Sequence, residues 1–127
     1  MENLFDRARS ILTGAAWVEV FTGAGMSADS GIATYRDAQT GIWENVDPVA
    51  MASISAWRSD PEPMFAWYLW RAQLVQQAEP NAGHRAIAAA HGVTVTTQNI
   101  DNLHERAGSG GVVHLHGSLF SFRCADC

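Results

Sequence analysis

The sequence contains no lysine: all eight basic residues are arginine, set against 13 Asp and Glu, for a formal net charge of −5 over 127 residues. No basic stripe is available, which argues against a nucleic-acid binder. The acidity lies early, with nine acidic and four basic residues in 1–63 against four and four in 64–127. Cysteine is nearly absent too, only Cys124 and Cys127. That excludes a disulfide framework and suits a reducing, cytoplasmic compartment. No stretch approaches the ~20 consecutive apolar residues of a membrane span. Residues 1–16 mix Glu2, Asp6, Arg7 and Arg9 with apolar residues, not the charged-then-apolar order of a signal peptide. Charged residues make up only 17%, below the usual ~25%, so part of the surface is expected to be covered or paired. A hydrophobic fraction of 47% excludes wholesale disorder.

What is present alternates. Leu4, Phe5, Ala8, Ile11 and Leu12 recur at helical spacing. Residues 16–22 form a β-rich run ending in Gly23-Ala24-Gly25. Residues 26–60 read as loops and short helices. Residues 62–79 form a longer helix, with Pro63 tolerated in its first turn and Pro80 after its end. Asn81 can cap a helix running to about His91. Residues 93–97 form a strand, 100–107 a helix stopped by Gly108, and 112–115 a third strand. This order predicts an α/β fold with a parallel sheet.

Gly23-Ala24-Gly25-Met26-Ser27-Ala28 matches G-x-G-x-x-(G/A) directly after a strand. Such a turn lets the backbone approach a pyrophosphate. The fingerprint alone is also compatible with a plain tight turn. The wider pattern is more specific. Residues 23–37 read GAGMSADSGIATYRD, 97–104 TQNIDNLH, 115–119 LHGSL, and 124–127 CADC. These four motifs, in this order, resemble the sirtuins, the NAD-dependent protein deacylases. The resemblance covers nearly the whole chain. It implies a partial Rossmann-like parallel sheet with flanking helices over about 1–119. The first half of a small zinc-binding module would follow over about 120–127.

By that resemblance Gly23, Ala24, Gly25 and Ser27 line the phosphates and ribose of NAD, and Arg36 sits beside the cofactor. Gln98, Asn99 and Asp101 would meet its nicotinamide and ribose end. Asn99 or Asp101 could equally cap the next helix. His116 would be the general base that activates a ribose hydroxyl, a role open to imidazole near neutral pH. His84, His91 and His104 fall on predicted helices and read as surface or packing groups. Cys124 and Cys127 would be zinc ligands. Two thiolates are too few for a closed structural site, and the family uses two C-x-x-C pairs. A Cys₂His₂ site with His114 and His116, or a redox pair, are the other readings.

Tyr68 and Arg71 are three apart and share a helical face. Y-x-x-R here, with Thr34 where many sirtuins have Asp, resembles the subgroup that strips succinyl or malonyl groups. The other reading places Tyr68 in an aromatic core and Arg71 in solvent. The implied partners are acylated protein lysines, with no nucleic acid and no membrane. Two further readings stay open: a non-catalytic NAD- or partner-binding piece, since only the first cysteine pair is present, or a protein ADP-ribosyltransferase. The chain is expected to be the N-terminal portion of a larger domain.

Overall fold

In the computed structural model, residues 3–32 and 46–127 are described. Asn3 caps the first helix, α1 (Leu4–Gly14), by accepting from the Phe5 amide at 2.7 Å. Strand β1 (Val18–Thr22) follows, then a single helical turn, α2 (Gly25–Ala28). Two short helices, α3 (Pro48–Met51) and α4 (Ile54–Ser59), begin at Asp47 and Ser53, whose side chains accept from Val49 and Ala56 amides. The long helix α5 (Pro61–Gln77) buries Met64, Trp67 and Val75. Helix α6 (Ala82–Ala89), strand β2 (Val93–Thr97), helix α7 (Leu103–Ala107) and strand β3 (Val113–His114) complete the order.

The three strands form one parallel sheet in the order β1-β2-β3. Val18 pairs with Val93 and Thr22 with Thr97, so β1 and β2 end level with one another. Thr97 also pairs with His114, which brings β3 to the same end. On the exposed side Glu19 takes hydroxyl bonds from Thr94 and Thr96, which hold its carboxyl below the usual range. The expected α/β parallel architecture is therefore what the chain adopts.

Several boundaries differ from the sequence reading. Helix α6 ends at Ala89, not near His91, because Ala90 is already extended and Gly92, at φ +71°, turns into β2. Helix α7 begins at Leu103 rather than Ile100, since the Asp101 carboxylate takes the Leu103 amide at 3.0 Å. Its stop at Gly108 is as expected: the residue sits at φ +108°, where a side chain would be strained. Helix α1 buries none of its residues. Leu4, Phe5, Trp17 and Phe21 all stay more than half exposed.

Asn81 ties two parts of this frame together. Its Oδ1 accepts from the Gly83 and His84 amides at 2.9 and 3.3 Å, and His84 Nδ1 accepts from its own amide at 3.2 Å. Its Nδ2 donates to the Met26 carbonyl at 2.8 Å and to Ser30 Oγ at 3.1 Å. Helix α6 is thereby fastened to the loop around α2. Replacing Asn81 by Ala removes the cap and both cross-links. The expected loss is about 1–2 kcal/mol of stability, read from urea denaturation of the whole protein. An unchanged midpoint would remove Asn81 from this role.

Candidate functional site

The site begins where β1 and β2 end. Thr22 Oγ1 donates to Thr97 Oγ1 at 2.8 Å, and both threonines are buried. Beyond them the Gln98 amide donates to the Thr22 carbonyl at 3.0 Å, and the Asn99 amide to Thr97 Oγ1 at 3.0 Å. This sets residues 98–101 beside the glycine turn that follows β1. Ser27 Oγ then donates to Asp101 Oδ2 at 2.8 Å and accepts from Asn99 Nδ2 at 3.1 Å. All three are at least nine-tenths buried. Of the two readings of Asp101, the structure shows the cap: one oxygen takes the α7 amide, while the other takes Ser27 at the cavity wall.

A cavity of about 1050 Å³ opens over these strand ends. Ala24, Ser27, Asn99 and Asp101 line it on one side. Gln98 and His116 line it as well, and so do Tyr68 and Arg71 from α5. Eight of the residues singled out from the sequence therefore face one space. Gly23 and Gly25 flank Ala24 and are not lining residues. Neither has a positive φ, and a Cβ added at either would meet nothing within 4 Å. Nothing among the described residues requires glycine there. Glycine at both positions leaves the backbone open to close approach. Arg36 and Thr34 lie outside the described residues.

Tyr68 and Arg71 are both half-buried. The Arg71 guanidinium lies 4.8 Å from the centre of the Trp67 ring, and Tyr68 packs edge-on to the same ring at 5.0 Å. The reading that left Arg71 in solvent is corrected by this stacking: cation–π contact on a buried indole holds the side chain at the cavity wall.

A description of the Sir2 family matches residues 23–127. The chain belongs to the Sir2 family. An NAD-dependent protein deacylase of Corynebacterium glutamicum is 62% identical over all of this chain and 52% of its own length. One from Mycobacterium tuberculosis is 57% identical over 87% of this chain and 48% of its own. The crystal structure of a Sir2 homolog–NAD complex superposes with a TM-score of 0.90 at 39% identity, over 99% of this chain and 50% of that one. A Sir2 complex with deacetylated p53 peptide and 3′-O-acetyl ADP ribose has a TM-score of 0.81 at 31% identity, over 97% and 51%. The chain spans about half the length of the curated relatives it matches.

The cysteines stand apart from the cavity over the strand ends. Cys124 and Cys127 are exposed free thiols. Cys127 hydrogen-bonds to Cys124, and the Asp126 and Cys127 amides also favour its thiolate, so Cys124 is lowered and Cys127 raised. Among the described residues no three His, Cys, Asp or Glu converge on a metal position. The Cys₂His₂ reading is overturned, because His114 is engaged elsewhere: Nε2 lies 2.7 Å from Glu105 and Nδ1 2.7 Å from the Asn99 carbonyl. Two thiols alone do not fit a closed zinc site. No helix of the described residues is long and apolar enough to cross a membrane.

The histidines divide by environment, which the sequence did not reveal. His84 and His104 are essentially fully buried and meet edge-on, ring centres 4.8 Å apart. His104 Nε2 donates to Thr22 Oγ1 at 3.0 Å, because the Thr22 proton is already committed to Thr97. Burial lowers the pKa of both. For His84 the neighbouring His104 adds to the lowering. For His104 the Asp101 and Glu105 charges resist it. His114 goes the other way: burial opposes its charge, but Glu105, the Asn99 carbonyl and Asp101 together raise it. The sequence signals for the pair were slight: Asn81 three residues before His84, and the threonine ending β1 that His104 meets.

These directions fix the sign of the pH dependence. A histidine lowered in the fold contributes stability that is complete above its unfolded value of ~6.5 and lost as pH falls. One raised in the fold contributes below ~6.5 and loses that contribution as pH rises. The whole protein should therefore be most stable near neutral pH. Its urea midpoint should fall between about pH 7 and about pH 5.5 as His84 and His104 are forced to charge. A midpoint that rises over that range would contradict the neutral pair.

Proposed function

We propose that this chain provides the NAD-handling part of a protein-lysine deacylase with preference for acidic acyl groups. The observation that carries the reading is the convergence of Ser27, Asn99, Asp101 and His116 on one cavity at the ends of parallel strands. Ligands of open α/β sheets bind at that position. NAD would supply a ribose carbon activated by a nicotinamide leaving group.

The residues then have separable tasks. The open space beside Gly23 and Gly25 accommodates the phosphates against backbone amides, with Ala24 and Ser27 nearby and Arg36 beside the cofactor. Asn99 and Asp101, held by Ser27, address the nicotinamide and ribose end, next to Gln98. His116 Nδ1 lies 3.1 Å from the Gln98 carbonyl, an acceptor, so that nitrogen carries the proton. The lone pair of the neutral ring is on Nε2, which takes the proton of a ribose hydroxyl. The net reaction converts acyl-lysine, NAD and one water to lysine, nicotinamide and O-acyl-ADP-ribose.

Tyr68 and Arg71 supply the acyl preference. Arg71 offers a fork of donors to a terminal carboxylate, and the Tyr68 hydroxyl adds one more. Trp67 holds both side chains in place. Residues 120–127 open a zinc-binding module in which Cys124 and Cys127 are half the ligands, and no catalytic step passes through it. The domain boundary falls near residue 119, after the Rossmann-like part.

Turnover of succinyl- and acetyl-lysine peptides by the whole protein with NAD tests this. His116→Ala should abolish turnover with either peptide. Arg71→Met should lower kcat/KM on succinyl-lysine by on the order of 100-fold, the worth of a forked, charge-assisted pair of hydrogen bonds, and leave acetyl-lysine little changed. Equal turnover of both peptides, insensitive to Arg71→Met, would overturn the acyl preference. Activity retained by His116→Ala would remove the base.

A further inference from the structure

His114 does not line the cavity and has no part in the reaction above. Its geometry is nevertheless specific. Nδ1 is 2.7 Å from the Asn99 carbonyl oxygen, and Nε2 is 2.7 Å from Glu105 Oε1. A carbonyl and a carboxylate can only accept. An imidazole flanked by two acceptors satisfies both only when both nitrogens carry protons. We propose that His114 is held as an imidazolium by Glu105 and acts as a positioning residue, clamping the Asn99 carbonyl so that the Asn99 side chain meets NAD. The proposal rests on the NAD-handling role given above.

The clamp follows from the fold. Thr97 pairs with His114, and the Leu115 amide donates to the Thr97 carbonyl at 2.9 Å. That register sets His114 level with the last residue of β2 and carries His116 past it. They then hold consecutive carbonyls, His116 that of Gln98 and His114 that of Asn99. Asn99 is thus fixed on three sides: its amide by Thr97, its carbonyl by His114, its side chain by Ser27.

The charged groups around the ring favour its second proton. Glu105 of α7 bonds it directly, and Asp101, just before α7, adds its field. A further titratable neighbour, His104 of α7, is buried and its own pKa is lowered. The directions agree with the geometry, since these partners outweigh burial. When pH rises far enough to remove one proton, the ring can no longer donate to both acceptors. Either Asn99 or Glu105 loses its bond, and the clamp opens on the alkaline side.

Two measurements on the whole protein test this. Long-range proton–nitrogen NMR should show both His114 ring nitrogens protonated at neutral pH. A single neutral tautomer there would overturn the imidazolium. NAD affinity, by calorimetry over a pH series, should weaken at alkaline pH. Glu105→Gln should shift that weakening to lower pH. His114→Ala should weaken binding roughly tenfold, the worth of one charged hydrogen bond. His114→Gln keeps a donor without a titrating proton, so it should restore near wild-type affinity and flatten the alkaline loss. Wild-type affinity in His114→Ala across the pH series, or no rescue by Gln over Ala, would overturn the positioning role. A wild-type protein that binds no NAD would overturn the functional reading and the positioning role with it. The NMR result then still decides the state of His114.

Discussion

The hydroxyl contact between Thr22 and Thr97 sits at the point on which the site depends. Two parallel strands end level because their registers match from Val18–Val93 to Thr22–Thr97. A polar residue ending each strand could not be buried there without a partner. Each threonine supplies the other's, and His104 completes the contact from α7. The same Thr97 oxygen then takes the Asn99 amide. One buried hydroxyl pair therefore joins the sheet, the helix beneath it and the first residue of the site.

From that anchor the site grows by satisfying donors and acceptors in turn. Ser27 links Asn99 and Asp101, and Asp101 starts α7 with its other oxygen. Each polar side chain has a structural task and a face on the cavity. Asp101 caps α7 and still lines the cavity, because a carboxylate has two oxygens with lone pairs to spare. The histidines show the same economy with opposite electrostatics. Buried without an acidic hydrogen-bond partner, His84 and His104 are pushed toward the neutral form. His114, bonded to Glu105, is pushed toward the charged form.

Much of this was legible in the residues. The parallel α/β order followed from the alternation of strand and helix patterns, and the Sir2 resemblance from four motifs in sequence. The Gly23–Gly25 turn, Ser27, Asn99, Asp101 and His116 all stand within those motifs. Helix ends were less legible. α6 stops two residues early because Gly92 must turn the chain into β2, and α7 starts late because Asp101 caps it through its side chain. Arg71 was ambiguous for a related reason: a Y-x-x-R pair on an aromatic helix reads equally as surface or wall until Trp67 is seen beneath it.

What the sequence determined by itself was local and chemical. It set which segments form strands and helices, where glycine falls, and the four motifs that mark the Sir2 family. Those properties depend on residue type and short-range spacing. Only the tertiary structure decided which histidines are pushed toward the neutral form, which is pushed toward the charged form and which lines the cavity. Protonation follows from burial and from partners far away in the chain. His104 meets Thr22 across 82 residues, and His114 reaches Asn99 across 15. No local pattern encodes those meetings, because they exist only once the strands have paired in register.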